Sequence, residues 1–148
     1  MLAPKFSNRR LHRKYRLRFK VRGSSQRPRL SVFRSAKHIY AQVIDDDSGR
    51  TLASASSVES ALNDFKGDKT AVAKKVGELI ADRAIEAGLT HLVFDRNGFK
   101  YTGRVAAVSK AAHDKGLLTQ TGFQAGAADT SKGADDAKTG ADDANEQE

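Results

Sequence analysis

Residues 27–46 read Arg-Pro-Arg-Leu-Ser-Val-Phe-Arg-Ser-Ala-Lys-His-Ile-Tyr-Ala-Gln-Val-Ile-Asp-Asp. From His38 to Ile44 the chain alternates: Ile39, Ala41 and Val43 point one way, and His38, Tyr40 and Gln42 the other, as a half-buried strand requires. Pro28 opens the strand before it, because a missing N–H is tolerated at a strand start, and Arg29 to Arg34 carry that strand. Ser35-Ala36-Lys37 makes the tight connection. Asp46-Asp47-Ser48-Gly49 has the chemistry of a turn, with side chains that bond local backbone and a glycine free to take positive φ. Arg50 to Ser57 then return as a third strand. These residues predict an antiparallel meander.

Beyond it the apolar period changes. Val72, Val76, Leu79, Ile80 and Ala84 recur at helical spacing, with Asp68 or Thr70 placed to cap the start and Gly88 where the helix stops. His91 to Asp95 read as a short buried strand, and Arg96-Asn97-Gly98 as a turn. A second helix is expected from about Gly103 to Lys115, with Val105, Val108 and Ala112 on one face and Gly116 closing it. The order βββαβα predicts an α/β (α+β) domain, a mixed sheet covered by helices on one or both faces.

The charge is polarised. Residues 1–44 hold 13 Lys and Arg and no Asp or Glu; residues 45–118 balance 11 bases with 11 acids; residues 119–148 hold 2 bases and 7 acids. Three regions are therefore expected: a basic arm (1–26), an α/β body (27–118) and an acidic, low-complexity tail (119–148). The tail's imperfect Gly-Ala-Asp repeats have nothing to fill a core beyond Phe123, so it is read as disordered and solubilising. In the arm, Leu11, Tyr15 and Phe19 recur at a spacing of four and predict an apolar helix edge. Like charges at i,i+4 weaken such a helix, so the arm is expected to be mobile alone and ordered on a polyanion. Gly23-Ser24-Ser25-Gln26 reads as a linker.

A run of bases without acids is the footprint of phosphate binding, since neutralising phosphates releases counterions. A solvated face normally mixes both signs. An organelle-targeting presequence is also Arg-rich and acid-poor, but here the arm runs unbroken into the first strand. Aromatic and hydroxyl side chains among the bases suit RNA through stacking and 2′-hydroxyl contacts; they also suit core packing, and Phe33 is an even choice. The polar face of the second strand beside Arg29 and Arg34 is a candidate RNA platform. The segment from Phe94 to Arg104 sets Arg96, Lys100, Tyr101 and Arg104 on a glycine-punctuated loop opening a helix, where free N–H groups and forked guanidinium donors suit a phosphate. The expected RNA-binding set is Arg9, Arg10, Arg13, Lys14, Arg16, Arg18, Lys20, Arg22, Arg27, Arg29, Arg34, Lys37, His38, Tyr40, Arg96, Lys100, Tyr101 and Arg104.

Other chemistries find little support. The chain has no cysteine, which removes disulfides and thiolate metal sites. His12, His38, His91 and His113 lack ligand spacing, no apolar run reaches bilayer length, and no signal-peptide core is evident. No cofactor, metal, membrane or small-molecule substrate is expected. Asp45-Asp46-Asp47 invites a two-metal nuclease reading, yet consecutive strand residues face opposite ways, and a solvated turn is the favoured account. A general nucleic-acid chaperone acting through the arm is the third reading.

Taken together, these motifs closely resemble the bacterial-type large-subunit ribosomal protein of the eighteenth family, the universal uL18 family. Residues 27–46 match its first two strands and Gly49-Arg50-Thr51-Leu52-Ala53-Ser54-Ala55-Ser56 its third. Val76-Gly77 and Arg83-Ala84 fall in its first helix, Phe94-Asp95-Arg96, Tyr101 and Gly103-Arg104-Val105 form its late motif, and Gly116-Leu117 its ending. The match spans roughly residues 9–118. The resemblance implies a structural, non-enzymatic protein that binds 5S ribosomal RNA. It implies attachment of that RNA to the large-subunit RNA, beside neighbouring ribosomal proteins of the central protuberance. Matched positions bring over Arg34, His38, Tyr40, Arg96, Tyr101 and Arg104; the arm matches in character, and its bases rest on charge. A ribosome-bound, cytoplasmic location follows, with an organellar ribosome as the alternative. Thr102 stands where the family commonly has histidine, His113-Asp114-Lys115 replaces a more usual Arg-Glu pair, and the tail has no counterpart.

Overall fold

The computed structural model describes residues 8–62 and 64–118; the expectations for the acidic tail lie outside them. The elements are α1 (Arg9–Arg18), β1 (Arg29–Arg34), β2 (Ile39–Asp45), β3 (Arg50–Ser56), a 3-10 turn (Ser60–Leu62), α2 (Lys69–Glu86), β4 (Val93–Asp95) and α3 (Arg104–Asp114). The predicted βββαβα order is present, with α1 ahead of it. The sheet order is β3-β2-β1-β4, β1 to β3 forming the antiparallel meander and β4 lying parallel to β1. Strand β4 is shorter than the sequence predicts, because Leu92 forms a bridge with Leu118, its amide donating to the Leu117 carbonyl at 2.7 Å.

The alternation read from the sequence sets the layers. Leu30, Val32, Ile39, Ala41, Val43 and Ala55 are buried on one sheet face, and α2 and α3 pack there against the sheet and each other. Helix α2 starts where Asp68 accepts a hydrogen bond from the Ala71 amide at 2.7 Å, satisfying an otherwise orphan donor. Its inner stripe is Ala73, Val76, Gly77, Ile80, Ala81 and Ala84. A methyl group on Gly77 would meet Ala111 Cβ at 2.7 Å and the Val108 carbonyl oxygen at 2.8 Å, so only glycine lets α2 and α3 approach this closely. Both helices thus occupy one face. The other face carries Phe33 opposite Tyr40, Ser31 opposite Gln42, and Ser54 and Ser56 from β3, since directly paired residues share a face. Among the described residues no helix is long and apolar enough to cross a membrane.

Candidate nucleic-acid interface

Helix α1 begins at Asn8, whose side-chain oxygen accepts from the Arg10 amide at 2.9 Å, and its last turn carries Arg16 and Arg18, favourable at the negative end of the helix dipole. It buries no residue. Chain-internal bonds seat it on the loop after β4. Arg10 Nη1 donates to the Asn97 carbonyl at 3.1 Å, and Arg13 Nε to the Gly98 carbonyl at 2.9 Å. Asn97 and Gly98 take positive φ (53° and 77°). A methyl on Gly98 would collide with the Arg10 carbonyl oxygen and crowd the Lys14 amide. Within the arm, residues 9–18 form a helix seated by chain-internal bonds.

Its orientation turns guanidinium groups toward the loop. Arg10, Arg13, Lys14 and Leu17 are half-buried, whereas Tyr15 is 48% and Phe19 91% exposed. The predicted apolar edge therefore faces outward for most of its length. The surface beneath α1 consists of turn carbonyls and an aromatic ring, and these suit guanidinium groups better than leucine. The Arg10 guanidinium lies 4.7 Å from the Phe99 ring centre and 5.8 Å from that of Phe33, and Arg34 lies 5.5 Å from Phe99 on the same cation–π principle. Phe99, Phe33 and Tyr40 form a run of rings with centroid spacings of 5.7 and 6.2 Å. Phe33 and Tyr40 remain partly exposed on the helix-free face. Phe33, the even choice in the sequence, is therefore a surface residue of this platform. Phe99 was missed altogether, because a phenylalanine in a turn carries no signal of which rings it will meet.

The segment read as a linker is a staple. Gly23 is buried, and its amide donates to Asp46 Oδ2 at 2.8 Å; a Cβ there would meet Arg29 N and Ile44 O, each at 2.6 Å. The acidic turn is solvated at Asp47, Ser48 and Gly49, whereas Asp45 at its start is buried and Asp46 half-buried. Asp45 accepts from the Ser25 and Ser48 hydroxyls at 3.0 and 2.8 Å, and Asp47 pairs with Arg22 at 3.0 Å. The Ser48 hydroxyl leads the contacts that lower the Asp45 pKa. Arg29, expected on the RNA platform, is 2% exposed. It bridges Asp46 (2.7 Å) and Asp95 (2.8 Å), a structural role. The Arg29 hydrogen bond holds the Asp46 carboxyl down at about 2, and the same bond raises the arginine further above its ordinary value. A guanidinium between these carboxylates occupies the space a nuclease metal would need. Burial, then the nearby Arg18 and Arg10, lower the Lys14 pKa.

The remaining expected residues divide. Arg9, Arg16, Arg18, Lys20, Arg34, Lys37 and Lys100 are exposed. His38 is half-buried with Nδ1 3.2 Å from the Ser57 hydroxyl, and Arg27 is half-buried behind the 24–27 turn. Arg96 donates to the Phe99 carbonyl at 2.6 Å and so shapes the loop that seats α1. Tyr101 turns to the helix side, its hydroxyl donating to Ser109 at 3.1 Å and its ring edge-on to Phe94. Arg104 opens α3, where Gly103 provides no side-chain cap, and its buried Nη1 has no hydrogen-bond partner among the described residues.

The model of the family described as "Ribosomal L18 of archaea, bacteria, mitoch. and chloroplast" matches residues 5–119. The chain belongs to the ribosomal L18 family. It is similar to the large ribosomal subunit protein uL18 of Myxococcus xanthus, 55% identical over 109 residues that cover 73% of this chain and 92% of that one. Its likeness to uL18 of Desulfatibacillum aliphaticivorans is 58% over 107 residues, covering 71% and 88%. Membership makes the L18-type chain a structural, non-catalytic component of the large ribosomal subunit, associated with ribosomal RNA. The matched span takes in α1, the ring platform and the 96–104 loop, and leaves the acidic tail outside.

Proposed function

We propose that this chain binds 5S ribosomal RNA and joins it to the large-subunit RNA in the central protuberance, among neighbouring ribosomal proteins, on bacterial cytoplasmic ribosomes. The observation that carries this reading is the continuity of exposed bases on α1 with the Phe33–Tyr40 ring face. Arg9, Arg16 and Arg18, with Lys20 just past the C-cap, face solvent from a helix whose other side is clamped beside those rings. Backbone phosphates would meet the helix, and rings and hydroxyls beside them suit bases and 2′-hydroxyls. In this division the arm (1–26) supplies long-range attraction and the body (27–118) the shape-specific contacts, from Arg34, Lys37, His38 and Tyr40 on one side and Arg96, Lys100 and Arg104 on the loop.

The deciding experiment titrates 5S RNA against an unrelated RNA of equal length at several salt concentrations. Preference for 5S RNA that persists at high salt is the expected result, because shape-specific contacts are less salt-dependent than phosphate neutralisation. Equal binding that fails together for both RNAs would reduce the chain to a general polyanion binder.

A further inference from the structure

Phe19 caps the C-terminus of α1 and is 91% exposed, the most exposed of the large apolar side chains described. It continues the Leu11–Tyr15–Phe19 stripe at one-turn spacing. Tyr15 and Phe19 turn outward, with Leu11 half-buried, because Arg10, Arg13 and Lys14 take the side facing the loop. In the same stretch of chain His12, Arg16, Arg18 and Lys20 are all exposed, and no acid occurs before Asp45. A phenyl ring left in water forgoes the burial that normally stabilises it, so its surroundings indicate what covers it. A protein partner would have to supply several acids around an apolar socket. An RNA supplies a flat apolar face and flanking phosphates from the same nucleotide. Within a paired stem the bases already stack on one another, which leaves no face for the ring.

We propose that Phe19, with Tyr15 behind it, stacks on an unpaired nucleotide of the bound RNA while Arg16, Arg18 and Lys20 neutralise the adjoining phosphates. This rests on the RNA-binding reading above and adds the class of nucleotide. It also makes α1 two-sided, with guanidinium groups inward on the protein and rings outward on the RNA.

The chain contains no tryptophan, so Phe19→Trp in the full chain places a single indole at the position. The variant is titrated with 5S RNA, a single-stranded oligonucleotide and a fully paired duplex of the same length. Indole fluorescence should be quenched by the first two and left nearly unchanged by the duplex at saturation. Phe19→Leu keeps apolar bulk and removes the aromatic face; it should weaken binding to the single strand about tenfold, with the salt slope unchanged because no phosphate contact is lost. Arg16→Gln should lower that slope. An indole that stays bright in saturated complexes, or Phe19→Leu binding at the parent affinity, would overturn the proposal and assign the ring to a protein neighbour. Loss of preference for 5S RNA with quenching by the single strand intact would instead sink only the 5S assignment.

Discussion

Helix α2 buries six residues and helix α1 buries none; the first packs on the sheet, the second on the loop after β4. The α2 seat is apolar, non-directional and continuous with the core, so its stabilisation scales with area removed from water. The α1 seat is two guanidinium–carbonyl bonds and a ring contact, each directional and individually modest. Apolar packing would have required α1 to turn Leu11, Tyr15 and Phe19 inward and its bases outward on every other side. Seating by arginine instead leaves a mixed aromatic and basic face for a partner. The difference should also separate their stabilities, α2 being lost only with the body and α1 opening on its own.

The comparison is broken hardest from the α2 side. Ile80→Ala, at a fully buried position, should cost about 2–5 kcal/mol in urea unfolding, with α1 and the sheet lost in one transition. The staple that ties the segment after α1 to the β2–β3 turn gives the next effect. Asp46 has a folded pKa of about 2 against an ordinary 3.8. Its contribution, about 2 kcal/mol, is present above pH 4 and lost as pH falls through 2. Unfolding free energies measured from pH 5 to pH 2 should fall in the parent, and Asp46→Asn should lack that component of the slope. Gly98→Ala acts on α1 alone. The strained φ costs about 1–2 kcal/mol, and the methyl would push against Arg10 and Lys14. Amide exchange over residues 9–18 should accelerate while the melting temperature of the body moves little; a large loss of body stability would show that the two seats are one. The smallest effect sharpens the contrast. A double-mutant cycle of Arg10→Ala and Phe99→Ala, read by exchange in α1, should give a coupling of about 0.5–1 kcal/mol.

The meander was legible because its alternation is local: Ile39, Ala41 and Val43 announce a face without knowledge of anything else in the chain. Helix α2 was legible for the same reason. What escaped were roles assigned by partners distant in sequence. Nothing near Arg29 distinguishes it from the arginines that face solvent, and its two carboxylates lie 17 and 66 residues away. The linker reading of Gly23–Gln26 failed similarly, since the turn that holds it belongs to the far end of β2. In the arm, helical periodicity placed a helix and its apolar edge, but which way that edge faces depends on the surface opposite, and here that surface is carbonyls and a ring. Of the candidate interface, the exposed bases were readable from charge alone, whereas the Phe99–Phe33–Tyr40 run required the fold.

The Arg29 bridge and the α1 seat also bear on how the chain is made. A polypeptide leaves the ribosome from its amino end, so the basic helix emerges first and its seat among the last folded parts. Arg10 and Asn97 are 87 residues apart, an interval of about 4–17 s at ordinary synthesis rates. During it, the basic first 44 residues have no seat for α1 and a β1 edge still unpaired by β4, though Asp46 and Asp47 already stand as partners for Arg29 and Arg22. Those seconds are when the protein is most exposed to the wrong polyanion, and emergence of the Asp95–Phe99 segment ends them by completing the Arg29 bridge, closing the sheet edge and seating the helix together.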